Sequence, residues 1–126
     1  MSEAPEIHFQ KTGLAARVLL DRPQALNALT LGMIRQLHPH LQAWSRDTSV
    51  SHIIVEAAGD RAFCAGGDIR ALYLWGKTQN PVVTRFYLEE YQLNTAIKTY
   101  PKPYIAIMDG ITMGGGVGIS VHGSHR

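Results

Sequence analysis

Two glycine-rich segments, each placed after a predicted strand, constrain this chain more than any other feature. They run from Phe63 to Asp68 (FCAGGD) and from Met113 to Gly118 (MGGGVG). Because glycine has no Cβ atom, backbone amides there can approach a ligand, and such a donor in a dry site stabilises an oxyanion by about 3 to 4 kcal/mol. Glycine clusters also mark ordinary turns and close helix contacts. Two of them after two strands favour a pair of amides aimed at one oxygen, as in the activation of a thioester or an enolate.

Apolar periodicity and turn residues predict alternating strands and helices. One apolar stripe continues through Pro39, which predicts a single kinked helix rather than two helices. The predicted elements are strands at 7–11 and 17–21, a helix at 31–46 capped by Thr30, a strand at 53–57, a helical turn at 68–74, a loose loop at 76–81, a helix from Pro81 to Thr99, a strand at 104–108 and a helix start at Met113. This order indicates an α/β fold with crossover helices.

Composition excludes several classes of protein. The 126 residues suit one domain, and 12 basic against 10 acidic residues form no basic run of the kind that binds nucleic acid. No apolar run approaches the roughly 20 residues that span a bilayer. The single cysteine, Cys64, fits a reducing compartment, and no targeting segment is visible at the start. A cytoplasmic location is therefore expected, without nucleic-acid or membrane partners.

Glu90 is the most informative charged residue. In the second predicted helix it falls in the same helical series as the apolar residues Phe86, Leu93 and Ile97. A carboxylate on a core face is costly unless it is paired or functional, so its position indicates either a site residue or a helix turned to put Glu90 in water.

Residues 61–70 and 102–123, together with 22–29, resemble the signature segments of the crotonase (enoyl-CoA hydratase/isomerase) superfamily, and within it the 3-hydroxyisobutyryl-CoA hydrolase branch. The likeness covers most of the chain but only the first part of such a hydrolase. It implies an α/β fold that is the N-terminal part of a crotonase-type ββα spiral core. Residues 1–126 are then a single, truncated acyl-CoA-binding domain. An unfinished core also leads us to expect exposed apolar surface, which favours either self-association into a homo-oligomer or instability.

The resemblance also implies a set of site residues. The two oxyanion donors would be the N–H groups of Gly67 and Gly115, and Glu90 matches a glutamate that contacts the substrate in the hydrolase branch. The acyl-CoA substrate would lie along further binding residues, of which Ala25, Leu26 and Ala65 would border its coenzyme A portion. These binding residues are Ala25, Leu26, Ala65, Gly66, Asp68 and Gly114. No separate cofactor is implied, because coenzyme A is part of the substrate.

Gly118 bears on the type of reaction. Enoyl-CoA hydratases carry a glutamate at this place to act on the attacking water, and glycine cannot act as an acid or base. The hydrolase branch has glycine there, which favours thioester cleavage in valine breakdown. Its catalytic glutamate and aspartate lie downstream of the segment matched here, so this chain alone is expected to be inactive. Two alternatives stay open: another crotonase activity of hydratase or isomerase type, and a non-catalytic fragment that binds acyl-CoA or copies of itself.

The remaining motifs give weaker indications of function. His122 stands where a nucleophile elbow needs glycine, so Ser120 is interpreted as a packing residue. The histidine pairs lack neighbouring cysteine or carboxylate partners, and we expect no metal site. Cys64 has small or apolar neighbours and is interpreted as a packed thiol.

Overall fold

The computed structural model describes residues 5–68, 81–113, 115–120 and 123–125. The elements in this part of the chain are strands β1 (Ile7–Thr12) and β2 (Ala15–Leu20), helix α1 (Leu31–Arg46), strands β3 (His52–Ala57) and β4 (Ala62–Cys64), helix α2 (Val82–Lys98), strands β5 (Tyr104–Ala106) and β6 (Ile111–Thr112), and a single helical turn α3 (Gly115–Gly118). The predicted helical turn at 68–74 and loop at 76–81 fall almost entirely outside the described residues.

The main sheet has the strand order β1-β2-β3-β5. β1 and β2 form an antiparallel hairpin, in which Ile7 pairs with Leu20, around a turn whose Gly13 has a φ of +61°. β3 pairs in parallel with both β2 and β5, so α1 and the segment containing α2 are crossover connections. The predicted α/β arrangement is confirmed.

Helix α1 begins where the sequence predicts. Thr30 is the N-cap, and its hydroxyl oxygen accepts a hydrogen bond of 3.1 Å from the Met33 amide. The helix continues through Pro39 to Arg46. Its apolar stripe packs against the sheet, and the buried residues of that stripe are Leu31, Met33, Ile34, Leu37 and Leu41.

Helix α2 lies against α1 and starts directly after its N-cap, Pro81. Its buried residues are Phe86, Glu90, Leu93 and Ile97, which places the predicted carboxylate on the inward face. On the outside, Arg35 of α1 and Glu89 of α2 form a two-pronged ion pair, with both N–O distances at 2.9 Å. Within the described residues, no helix has the length and apolar character needed to cross a membrane.

The strand predicted at 104–108 is shorter than expected. Tyr104 and Ala106 are buried, but Ile107 and Met108 are 48% and 36% exposed. The Ile107 amide still donates to the Val55 carbonyl of β3 at 2.9 Å. Beyond it the chain turns at Gly110, where φ is +95°, and β6 pairs with β4 in a separate two-stranded sheet. This small sheet carries both glycine-rich segments at its ends.

Candidate active site

The first glycine-rich segment runs beside the turn that precedes α1. The Leu29 amide donates to the Gly66 carbonyl at 2.7 Å, and the Asp68 amide donates to the Leu29 carbonyl at 2.8 Å. In this parallel bridge the polar groups of Gly67 point away from Leu29. Within the described part of the chain, the Gly67 amide donates to no acceptor. A free backbone donor in a glycine-rich turn is what an oxyanion site requires.

A cavity of about 470 Å³ lies along this segment. Four of the residues proposed from the sequence line it: Ala25, Ala65, Gly67 and Asp68. Arg22, Gln24 and Ala28 complete the described lining. Leu26 and Gly66 support the cavity through their backbones, because the Leu26 carbonyl accepts from the Ala65 amide at 3.0 Å. The structure therefore brings one group of the predicted residues together.

Arg22 provides the positive charge at the edge of this cavity. Its side chain, only 13% exposed, pairs with Glu6 and with Asp68, the latter at 3.1 Å, and donates to the Ala28 carbonyl at 2.7 Å. With its guanidinium engaged on several sides, Arg22 fixes the turn and the aspartate that follows Gly67. The sequence alone did not indicate this role for Arg22.

Asn27 is a second residue that the sequence analysis missed. Its side chain is buried, accepts from the Arg22 amide at 2.7 Å, and donates to the Ala58 and Ala62 carbonyls at 2.9 Å each. Leu26 and Asn27 also both have positive φ, at 53° and 55°. An asparagine between apolar residues in a turn is the only sequence signal for this role, since asparagine tolerates that conformation better than most residues do.

The second glycine-rich segment packs against the end of β4. The Met113 amide donates to the Cys64 carbonyl at 3.0 Å. Gly116 lies so close that a Cβ atom built on it would stand 2.1 Å from the same carbonyl oxygen. Gly115 begins α3 beside this contact, whereas Gly114 lies outside the described residues. The two glycine segments thus meet at Cys64, a few residues before Gly67.

Glu90 is buried, with 8% of its surface exposed, and burial raises the pKa of its carboxyl above the ordinary value of 4.5. It is not among the described residues that line the 470 Å³ cavity. Its charge nevertheless reaches Cys64. Burial, and to a lesser extent Glu90, raise the pKa of the Cys64 thiol to about 11. The buried thiol is therefore protonated at neutral pH, as expected for a packed residue.

Known proteins share the fold and much of the sequence of this chain. A family model described as "Enoyl-CoA hydratase/isomerase" matches residues 15–126. The mitochondrial 3-hydroxyisobutyryl-CoA hydrolases of Danio rerio and Homo sapiens are 54% and 49% identical to this chain over 96% and 98% of its length. The chain spans about a third of each relative, 32% in both cases.

A solved structure shows the same fold. The crystal structure of a carnitinyl-CoA dehydratase from Mycobacterium thermoresistibile is 43% identical and superposes with a TM-score of 0.95. The match covers 98% of this chain and 36% of that one. The expected crotonase-type fold and the resemblance to the hydrolase branch are both confirmed.

One expectation is wrong. The sequence suggested a cytoplasmic protein, but the relatives are mitochondrial enzymes by name. A lone cysteine and the absence of a visible targeting stretch do not distinguish two reducing compartments, which explains the error. The family model, the relatives and the fold agree, and the chain belongs to the enoyl-CoA hydratase/isomerase family.

Proposed function

We propose that the protein carrying this sequence hydrolyses the thioester of 3-hydroxyisobutyryl-CoA, or of a closely related 3-hydroxyacyl-CoA, in mitochondria. The relatives that are about half identical to the chain carry that activity in their names. The Gly67 amide at the wall of the 470 Å³ cavity, which donates to no acceptor among the described residues, is the structural observation that supports the proposal.

Coenzyme A would lie in this cavity, with Ala25 and Leu26 on one side and Ala65 and Asp68 on the other. The thioester oxygen would sit between the N–H groups of Gly67 and Gly115, with Gly66 and Gly114 allowing its close approach. Water adds to the carbonyl carbon, negative charge develops on the oxygen, and the two amides stabilise that charge. When the C–S bond breaks, the free acid and the coenzyme A thiol are the products. No separate cofactor is needed.

Glu90 would position the acyl group. It is the charged residue on the buried face of α2, and its charge reaches Cys64, beside which the second glycine segment packs. The groups that activate water would come from outside these residues, because Gly118 has no side chain that could act as an acid or base. The 126-residue chain alone is therefore proposed to bind acyl-CoA without turning it over.

The test is release of free thiol from 3-hydroxyisobutyryl-CoA, measured for the 126-residue chain and for the longest protein that its reading frame encodes. A missing acid/base function costs about 10² to 10⁴ in rate, so the longer protein should be faster by at least that factor. Equal rates would show that the 126 residues already hold the acid/base groups. No thiol release by the longer protein would refute the hydrolase proposal.

A hydratase-type activity is the second candidate. It is favoured by the likeness to the solved carnitinyl-CoA dehydratase. The same assay separates the two reactions when it is run with an enoyl-CoA, because hydration consumes the double bond and releases no thiol. Loss of enoyl absorbance without thiol release would favour this candidate.

A further inference from the structure

The side-chain amide of Asn94, on α2, lies directly against the backbone of Gly118 in α3. A Cβ atom built on Gly118 would stand 2.6 Å from Asn94 Nδ2, 2.8 Å from Oδ1 and 2.9 Å from Cγ. These distances are shorter than real side-chain contacts allow. The amide of Asn94 thus occupies space that any larger residue at position 118 would need.

The Oδ1 atom of Asn94 is buried, and within the described residues it accepts no hydrogen bond. A buried acceptor without a donor is unfavourable, and most such groups in folded proteins have a partner. The buried residues of α2 are the apolar Phe86, Leu93 and Ile97 together with Glu90, which lies one turn before Asn94. Asn94 and Glu90 are therefore two polar groups set close together on one side of α2.

Asn94 lies beside the second glycine segment, of which Gly116 packs against the carbonyl of Cys64. Gly118, in the same helical turn, contacts Asn94. Gly118 is three residues after Gly115, whose amide is the proposed oxyanion donor, so the two lie about 4.5 Å apart along the helix axis. An acyl group whose thioester oxygen is held at Gly115 would therefore begin within one helical turn of Asn94.

We infer that Asn94 Oδ1 accepts a hydrogen bond from the hydroxyl group of a 3-hydroxyacyl chain and so selects hydroxylated over plain acyl groups. This inference rests on the proposed function, because it requires an acyl group beside Gly115. The hydroxyl is the only donor that such an acyl chain offers, since methyl groups and the thioester carbonyl have none. Gly118 has a matching role: the absence of its side chain leaves room for the amide.

Binding measured by calorimetry tests this without relying on turnover. The ligands are analogues of 3-hydroxyisobutyryl-CoA and isobutyryl-CoA in which a methylene group replaces the thioester sulfur, so that neither can be hydrolysed; they differ by the one hydroxyl. The proteins are the full-length form, Asn94→Ala, Asn94→Leu and the control Thr95→Ala. Leucine keeps most of the volume of asparagine without an acceptor, so it separates lost packing from a lost hydrogen bond. Thr95 is exposed on the same helix and its hydroxyl donates to the Tyr91 carbonyl, away from the proposed contact.

The wild-type protein and Thr95→Ala should prefer the hydroxylated ligand about tenfold, a difference typical of one hydrogen bond. Both Asn94 variants should lose that preference by weakening only the hydroxylated ligand. A preference that survives in Asn94→Leu would overturn the inference, as would equal affinity of the wild-type protein for the two ligands. Thiol release from 3-hydroxyisobutyryl-CoA itself is recorded separately. A selective binder that releases no thiol would refute the hydrolase proposal while supporting the role of Asn94.

Discussion

Replacing Gly116 with alanine should both destabilise the protein and disturb the candidate active site. The added Cβ atom would stand 2.1 Å from the Cys64 carbonyl oxygen and 2.8 Å from Cys64 Cβ. Real Cβ atoms essentially never approach closer than 3.0 Å, so α3 would have to move away from β4 by at least about 0.9 Å. The obstacle is backbone rather than the flexible end of a side chain, so it cannot swing aside.

The magnitude follows from two contributions. Overpacking of this kind costs about 1 to 3 kcal/mol, and the 3.0 Å hydrogen bond from the Met113 amide to the Cys64 carbonyl adds about 1 kcal/mol if it breaks. The free energy of unfolding should therefore fall by about 2 to 4 kcal/mol. If α3 moves by this distance, the Gly115 amide moves with it. Misplacement by roughly 1 Å can reduce turnover about 10²-fold.

Gly32→Ala is the matched control. Gly32 is exposed in the first turn of α1, where an added Cβ atom would meet only the Thr30 hydroxyl oxygen, at 3.7 Å. Alanine is the better helix former, so this variant should gain up to about 1 kcal/mol. Urea unfolding followed by circular dichroism, with both variants in the same polypeptide, measures the difference. A Gly116→Ala protein as stable as Gly32→Ala would refute the packing of the second glycine segment against β4.

Three further predictions follow from other parts of the structure. Burial raises the pKa of Glu90, so the folded protein favours the neutral carboxyl group. The stability that this group contributes is fully present below pH 4.5, its ordinary pKa, and is lost as the pH rises through the folded-state pKa. Urea unfolding at several pH values should show Glu90→Gln more stable than wild type above that window, whereas Glu89→Gln, at an exposed ion pair, should show no such gain. Asn27→Ala removes the side-chain partner of three backbone groups, one buried and two partly buried, and should lower the free energy of unfolding by about 2 to 4 kcal/mol; an unchanged urea midpoint would contradict this. Ile111 and Met113 are 42% and 60% exposed, so lysine at both positions should reduce self-association of the 126-residue chain in sedimentation experiments, and undiminished association would locate the contact elsewhere.

The elements set by local patterns could be predicted from the sequence. The Thr30 cap and the apolar stripe of α1 depend on neighbouring residues, and both were located correctly. The burial of Glu90 could be anticipated for the same reason, because its helical spacing put it on an apolar face. Strand ends were less predictable. Ile107 and Met108 have strand-like side chains, but the chain turns at Gly110, just after them, to pair with β4, and this pairing is a tertiary contact.

Contacts between distant segments could not be predicted in this way. Nothing local links Asn27 to the carbonyls of Ala58 and Ala62, and nothing links Asn94 to Gly118. Leu26 with a positive φ is also unexpected, because a branched side chain disfavours that conformation. Such features depend on how the turn before α1 meets the end of β3, and their residues acquire a role only in the assembled fold.

The proposed oxyanion site is tested most directly by removing one donor atom. Gly67→Pro eliminates the N–H group, and within the described residues that amide makes no hydrogen bond whose loss would affect folding. Gly67→Ala keeps the N–H group and serves as the control. With circular dichroism and acyl-CoA binding unchanged, the proline variant of the full-length protein should release thiol from 3-hydroxyisobutyryl-CoA about 10² to 10³ times more slowly, while the alanine variant stays close to wild type. A folded proline variant that retains the wild-type rate would contradict the role of the Gly67 amide.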